Sequence, residues 1–231
     1  MLRKWKDIPE FMRVPEVKPY YDILNKKRGQ LLLKRVFDFV VALTLIVFLA
    51  VPMIIIAVWI KWDSAGPVFY RQERVTIYGK CFKIHKFRTM VSNADKIGTS
   101  VTVKNDSRIT EVGKKLRYLR LDELPQLFDV LNGNMSFVGT RPEAVKYVRC
   151  YKKEYFATLL MPAGITSEAS IRYKNENTLL NLTQNVDEVY VKKVLPVKMK
   201  WNLESIHKFQ FFREILTMVR TIFAVLGKNY K

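Results

Sequence analysis

Histidine and cysteine are nearly missing from this sequence. Its 231 residues hold two histidines, His85 and His207, and two cysteines, Cys81 and Cys150. Two cysteines build no disulfide framework, and no Cys/His spacing matches a zinc site. Reduced thiols, as in the cytoplasm, are the expectation, and a mechanism built on histidine has little to draw on. Acid is scarce as well: 21 Asp and Glu stand against 40 Lys and Arg, a formal net charge of +19. That excess points to an anionic partner, which can be nucleic acid, anionic lipid or a phosphorylated substrate. No nucleic-acid-binding motif accompanies the charge, which argues against the first. Internal repeats and low-complexity tracts are absent too. The length suits one large domain, or one domain with appendages.

Charge of either sign is missing from Val40 to Ile60, VVALTLIVFLAVPMIIIAVWI, which is 21 consecutive residues. At about 1.5 Å per residue such a helix is about 30 Å long, the thickness of a bilayer core. The run starts too late for a secretory signal and no small-residue cleavage site follows it. A helix buried in a protein core would have a similar composition, but two details fit a membrane better. Pro52 removes a hydrogen bond inside the run, so a kink or break is expected there. Both flanks are basic: Lys26, Lys27, Arg28, Lys34 and Arg35 precede the run, and Lys61, Arg71, Arg74, Lys80, Lys83, Lys86 and Arg88 follow it. Positive charge marks the cytoplasmic side, so a single crossing would put one flank on the wrong side. A broken helix that enters and returns to the same face satisfies both. Asp38 would then lie at interface depth beside Lys34 and Arg35.

Around this run the pattern is mixed. Residues 1–30 are basic and interrupted by Pro9, Pro15 and Pro19, with Trp5, Phe11, Tyr20 and Tyr21 among the charges. An arm on lipid headgroups and a partly disordered tail both fit that composition. VFYRQERV and KCFKIHKF alternate apolar and polar residues as strands do, between turns at Ala65-Gly66-Pro67 and Tyr78-Gly79-Lys80. Val112, Leu116 and Leu119 have helical spacing. Asp122 is placed to cap a helix running to about Leu131, with Pro125 in its first turn and Asn132-Gly133 as its stop. Arg141-Pro142-Glu143 reads as the start of another helix, through about Leu160. From Ser205 to Gly227, Phe209, Phe212, Leu216, Val219, Phe223 and Leu226 form a wide apolar stripe that suits either a membrane interface or the core.

One acidic pair is out of keeping with its surroundings. LDELPQLFDVLNG puts Asp122 beside Glu123, directly after a segment in which Lys104, Arg108, Lys114, Lys115, Arg117 and Arg120 outnumber Asp106 and Glu111. Most adjacent Asp-Glu pairs are solvated surface charge. Here a carboxylate facing cations stays ionised, and an ionised carboxylate can attack phosphorus or bind a metal. Two side by side can divide those roles, since Mg²⁺ is commonly held by one or two carboxylates plus substrate phosphates. Lys86, Arg88, Arg117 and Arg141 could neutralise phosphate oxygens. The residues thus describe a site for a phosphorylated substrate without naming its reaction.

KRVFDFVVAL, GPVFYRQERV, GKCFKIHKFRTM, RITEVGKKLRYLRLDELPQLFDVLNGNMSFVGTRPE and PAGIT occur in that order between Lys34 and Thr166. In this the chain resembles the bacterial sugar transferases, or monotopic phosphoglycosyl transferases. The DELPQL…GNMSFVGTRPE block is the specific part; KFRTM alone would be weak. The resemblance implies a membrane-associated α+β protein, mainly helical: a re-entrant helix-break-helix, interfacial amphipathic helices and a small cytoplasmic globular domain with short strands. It implies transfer of a sugar 1-phosphate from a nucleotide diphosphate sugar, usually a UDP-sugar, to undecaprenyl phosphate at the cytoplasmic face of the bacterial inner membrane. It assigns Asp122 as the nucleophile of a ping-pong reaction and Glu123 as the Mg²⁺ ligand. It places Arg117 near the active site, the Arg141-Pro142 step at the phosphates, Lys86 and Arg88 in KFRTM, another active-site strip, and the membrane break at Pro52.

Some positions depart from the pattern. Val51 stands where a small polar residue often precedes the re-entrant proline, and Thr76 where a glycine is common. SEASIRYKNEN replaces the stretch that usually follows PAGIT, which puts the identity of the sugar in question. The chain resembles the small members of the family, which lack a multi-helix N-terminal membrane domain. The expected organisation is a basic N-terminal arm (1–33), the re-entrant helix (34–62), a catalytic domain (63–204) and a C-terminal amphipathic helix (205–231). Pairing of the amphipathic helices into a homodimer stays open, since no heptad seam specifies it. The competing account, a non-catalytic peripheral protein that binds anionic lipid, gains nothing from acids at 122 and 123.

Overall fold

Lys18–Lys26 forms a first helix, α1, and Arg28–Asp63 a second, α2, of 36 residues, in a computed structural model that describes residues 2–94, 106–173, 185–225 and Gly227. At 1.5 Å per residue α2 is roughly 54 Å long. It begins at Arg28, upstream of the uncharged run, and continues through Pro52. The expected interruption at Pro52 therefore does not take the form of a gap in the helix. Proline still offers no N–H to the carbonyl of Phe48, so the helical ladder is weakest there.

The burial of α2 is inverted relative to a core helix. Its charged Lys34 and Asp38 are buried, whereas Val47, Phe48 and Val51 are 71%, 79% and 66% exposed. Lys34 Nζ donates to the Val138 carbonyl at 2.9 Å and pairs with Glu214. Asp38 accepts from the Phe137 amide at 3.3 Å, and Arg35 donates to the carbonyls of Val130 and Leu131. The polar residues near the start of α2 thus dock it on the protein, and much of its apolar surface faces outward, apart from Ala42, Met53, Ile56 and Ile60, which are buried.

The strand alternation holds. β1, Phe69–Val75, and β2, Cys81–Phe87, pair antiparallel in the register Phe69↔Phe87 to Val75↔Cys81. Tyr78 and Gly79 turn the chain between them with φ of 57° and 74°. Met90 bridges Ile109, and Glu111–Tyr118 forms α3 with Thr110 capping it through the Gly113 amide. Val112 and Leu116 of α3 are buried and Leu119 is exposed. Gly113 has no room for a side chain: a Cβ there would lie 2.1 Å from the Thr89 carbonyl oxygen. That contact seats α3 directly on the KFRTM strip.

Gln126–Leu131 forms α4, and Asn132 with Gly133 (φ +78°) ends it as expected. Asp122 does not cap it; Pro125 holds the cap position, and Asp122 lies in a separate 3-10 turn, Leu121–Glu123, behind left-handed Arg120. The physical reason is Arg120, whose φ of 57° bends the chain before α4 starts.

β3, Met135–Val138, and β4, Ala163–Thr166, pair parallel. Gly139 and Gly164 bring their backbones together, since a Cβ on Gly164 would meet the Gly139 amide nitrogen at 2.2 Å. The long helix expected after Arg141 is instead a four-residue helix α5, Val145–Val148, a turn, and a 3-10 segment Lys153–Leu160.

The C-terminal part follows. Glu168–Arg172 forms α6; of SEASIRYKNEN, residues 174–177 lie outside the described residues, as do 95–105 and Leu226. Val186–Val189 is α7, and after a π turn at Tyr190–Val194 it continues as α8, Leu195–His207. Phe211–Val225 is α9, so Ser205 to His207 belong to the preceding helix rather than to the amphipathic one. α9 is inverted like α2: Phe212 and Ile222 are 78% and 58% exposed, while Thr217 bonds Glu168 and Thr221 bonds Thr166.

Three hydrophobic clusters hold these elements. The largest joins Leu2, Ile8, Met12, Val17, Tyr21 and Leu24 to Leu160, Val194, Met199, Leu203 and Phe209. The N-terminal arm is therefore a packed part of the body and not a tail; its aromatic and aliphatic residues supply core. A second cluster packs Ala42 of α2 against Phe82, Leu127, Met135 and Ala163. The third packs Met53, Ile56 and Ile60 against Phe87, Val112 and Leu116. The whole is mainly helical with two small two-stranded sheets and one long apolar helix near the N-terminus, in keeping with an α+β class.

Candidate active site

The turn Leu121–Glu123, strand β2 and the loop after β3 converge on one cluster. Glu123 Oε1 accepts from Lys86 Nζ at 2.8 Å and from Arg141 Nη2 at 2.7 Å. Its other oxygen makes no hydrogen bond to a described residue, nor does the carboxylate of Asp122. The two neighbours thus differ. Burial pushes the Glu123 carboxyl up, but Arg141 and Lys86 outweigh it and hold the group well below the usual carboxylate range. Asp122 moves the opposite way: burial raises it, the Glu123 charge adds to that, and Lys86, Arg117 and Arg120 only partly oppose. Burial also lowers Lys86, against the pull of Glu123.

Supporting contacts fix each member. Lys86 is held by the β1–β2 register, in which it faces Tyr70. His85 beside it donates its amide to Asp129 Oδ2 and meets Oδ1 through Nδ1, both at 2.8 Å. Asp129 is fully buried, so this pair clamps α4, and with it the acidic turn, to β2. Arg117 Nε donates to Thr89 Oγ1 at 2.8 Å, and its charge reaches Asp122. The Pro142 carbonyl accepts from Arg74 Nη1 at 3.4 Å. Glu143, next in sequence, is buried and takes bonds from the Tyr190 hydroxyl at 2.7 Å and the Val75 amide at 3.0 Å, with Lys198 Nζ 3.6 Å away. The Arg141 loop is therefore anchored on β1 and on the helix α7–α8.

Of the residues expected here, Asp122, Glu123, Lys86, Arg117 and Arg141 come together, and Pro142 continues the Arg141 loop. Arg88 is engaged elsewhere. Its guanidinium donates to the Ser64 carbonyl at 2.6 Å, to Ser64 Oγ at 2.9 Å and to the Ala65 carbonyl at 3.0 Å. It closes the end of α2. Thr76, where glycine was the family expectation, accepts from the Ala163 amide and donates to the Asn134 carbonyl, joining the turn to β4. Asp129, Glu143, Tyr190 and Lys198 were not singled out from sequence. Glu143 had one signal, an acid inside an Arg-Pro-Glu step; Tyr190 and Lys198 had none, being remote in the chain.

The donor set bears on a metal. Among the described residues no group of three or more His, Cys, Asp or Glu forms a protein cage. The unengaged oxygen of Glu123 is a carboxylate donor of the kind Mg²⁺ takes together with substrate phosphates. It could hold that ion with a phosphorylated substrate bound.

A profile described as bacterial sugar transferase matches residues 29–228. The chain is 32% identical over 197 residues, 84% of its length and 44% of the relative's, to a UDP-N-acetylgalactosamine-undecaprenyl-phosphate N-acetylgalactosaminephosphotransferase of Aeromonas hydrophila. It is 35% identical over 221 residues, 94% of its length and 44% of the relative's, to the UDP-glucose:undecaprenyl-phosphate glucose-1-phosphate transferase of Escherichia coli K12. A putative undecaprenyl-phosphate N-acetylgalactosaminyl 1-phosphate transferase of Bacillus subtilis is 40% identical over 135 residues, 58% of this chain and 75% of that protein. The chain spans less than half the length of the first two.

Proposed function

The chain belongs to the bacterial sugar transferase family, and from that premise we propose that it transfers a sugar 1-phosphate from a UDP-sugar to undecaprenyl phosphate. Asp122 Oδ attacks the phosphorus that carries the sugar. The phosphorus–oxygen bond to the nucleotide breaks, its electron pair leaves on UMP, and an aspartyl phosphosugar remains. A phosphate oxygen of undecaprenyl phosphate then attacks the same phosphorus, releases the Asp122 carboxylate and gives a polyprenyl diphosphate sugar, the starting unit of a surface glycan.

One observation carries the assignment of roles: Glu123 is held by Lys86 and Arg141, while its neighbour Asp122 makes no hydrogen bond to a described residue. A carboxylate engaged by two cations is a poor nucleophile. One without such bonds, partly exposed and beside cations that can receive phosphate oxygens, is a better one. Glu123, through the oxygen that Lys86 and Arg141 leave unengaged, is the residue that would hold Mg²⁺, which would offset phosphate charge when bound.

The membrane arrangement rests on packing as well as charge. Ala42 in the first half of α2 and Ile60 in its second half both pack on the same protein body. A helix that crossed a bilayer could not keep both halves on one strongly basic body, because that body would have to lie in hydrocarbon. α2 therefore enters from the cytoplasmic side, bends where Pro52 weakens it, and returns, with the exposed apolar face of α9 lying in the same leaflet. The protein on this reading is monotopic in the bacterial inner membrane.

Purified protein given UDP-glucose, UDP-N-acetylglucosamine or UDP-N-acetylgalactosamine with Mg²⁺ and undecaprenyl phosphate should release UMP with at least one donor, and Asp122→Asn should not. UMP release by Asp122→Asn at the wild-type rate would remove the nucleophile from the account.

A further inference from the structure

A cavity of about 310 Å³ lies apart from the acidic pair, between α6, α8 and α9 and the loop after β3. Its lining includes Thr140, one residue before Arg141, and Leu216 of α9. Its size falls at the lower end for small-ligand sites.

Asn202 on α8 lines this cavity, is 95% buried by its 5% exposure, and makes no side-chain hydrogen bond to a described residue. Its amide, which can both donate and accept, is therefore available to a ligand in the cavity in place of water. The cavity wall is also rich in cation. Arg172 and Arg220 share the single carboxylate of Glu168, at 3.2 and 3.4 Å. Arg213, a further cation on the wall, lies one turn from Leu216. Glu214 is taken by Lys34, and Glu204 by Lys208. An anion would therefore meet more positive than negative charge.

Two features select among anionic ligands. Trp201 lines the cavity, but the Arg172 guanidinium sits over its ring, 4.5 Å from the centroid. A sugar that stacked on that face would have to displace the arginine. The helix that supplies Arg213 and Arg220 exposes Phe212, Leu216, Val219 and Ile222, and Leu216 also lines the cavity, so the cavity adjoins an apolar surface. A ligand with a phosphate and a hydrocarbon tail fits both: head among the arginines and Asn202, tail along α9.

We propose that this cavity binds the phosphate head of a membrane amphiphile, at a place distinct from Asp122 and Glu123. The inference rests on the membrane-facing reading of α9 and not on the reaction at Asp122. Prenyl phosphates and glycerophospholipids share the required chemistry.

Trp201 is the reporter, and Trp201→Phe isolates its signal from the other tryptophans. The full chain in uncharged detergent is titrated with farnesyl phosphate, dihexanoyl phosphatidic acid, dihexanoyl phosphatidylcholine, inorganic phosphate and UDP-glucose. A saturable change in Trp201 emission is expected with farnesyl phosphate or phosphatidic acid, and whichever binds tighter names the source. Phosphatidylcholine and UDP-glucose should give none, and inorganic phosphate should bind more weakly. The double variant Arg213→Gln/Arg220→Gln should weaken lipid binding by about tenfold or more. Asn202→Leu, which replaces the amide with an apolar group of similar shape, should also weaken it. Asp122→Asn should bind as wild type, which keeps this test separate from catalysis. The proposal is overturned if neither lipid phosphate gives a saturable response, if the arginine variant binds equally well, if inorganic phosphate binds as tightly as the lipids, or if UDP-glucose produces the response instead.

Discussion

Arg141 reaches back across 18 residues of sequence to donate to Glu123 at 2.7 Å. That bond, with the matching one from Lys86, makes two adjacent carboxylates unequal. Glu123 is a fixed, ionised group; Asp122 keeps an unengaged carboxylate, as the proposed nucleophile requires. Replacing Arg141 with Ala leaves Glu123 with Lys86 alone and removes a phosphate partner, so kcat/KM should fall by about a hundredfold, in line with loss of one charged hydrogen-bond donor to developing charge. Steady-state UMP release measures it; Arg141→Lys should recover only part, because a lysine cannot present a planar fork.

The opposed shifts of the pair set a pH dependence. Asp122 must be ionised to attack, and burial and the Glu123 charge raise it. Activity should therefore fall on the acid side through a group titrating above the ordinary carboxylate value of about 3.9. Arg120 lowers Asp122 by its charge, so Arg120→Asn, which keeps a left-handed backbone accessible, should move the acid limb of kcat/KM to higher pH. A limb that moved to lower pH would contradict the assignment.

Arg88 offers a contrast with Arg141. It is buried and spends its guanidinium on Ser64 and Ala65. Arg88→Ala should cost about 2–4 kcal/mol of stability, seen as a lower denaturation midpoint. At a temperature where the variant stays folded, KM for the UDP-sugar should remain near wild type. A large rise in KM without loss of stability would put Arg88 at the phosphates after all.

The parallel strands β3 and β4 depend on Gly164, whose added Cβ would press on the Gly139 backbone at 2.2 Å. Gly164→Ala should destabilise the protein by about 1–3 kcal/mol and should also slow turnover, since β3 leads into the Arg141 loop. Denaturant titration alongside UMP release checks both.

Mg²⁺ removal is the remaining test of the pair. With EDTA in excess, turnover should drop steeply and return on adding Mg²⁺, because Lys86 and Arg141, already paired with Glu123, leave the diphosphate of the donor only partly neutralised. Full activity in chelator would take the metal out of the mechanism.

The legible parts of this protein were those written in short-range pattern. The alternation in VFYRQERV and KCFKIHKF became the β1–β2 hairpin, the uncharged run became α2, and Gly133 ended α4. Asp122, Glu123, Lys86, Arg117 and Arg141 could be picked out because each is a charge in an informative place. What sequence did not reveal depends on distant partners. Arg120 turns left-handed and detaches Asp122 from the helix it had been expected to cap. Arg88 reads as a phosphate ligand until Ser64 is seen beside it. Leu2 to Leu24 read as a surface arm because their apolar residues are spaced among lysines and prolines; only α8 and residues 153–160 show what they cover. Glu143 needs Tyr190 and Lys198, some fifty residues on, to become an anchor for the Arg141 loop.

The central claim is that Asp122 carries the sugar phosphate. The direct measurement is mass spectrometry of the protein quenched in acid after incubation with its UDP-sugar and Mg²⁺ but no undecaprenyl phosphate. The account predicts a mass gain equal to one phosphosugar, located on the peptide containing Asp122, absent from Asp122→Asn, and discharged when undecaprenyl phosphate is added before the quench. An adduct on Glu123, or UMP release that needs undecaprenyl phosphate and leaves the protein unmodified, would contradict it.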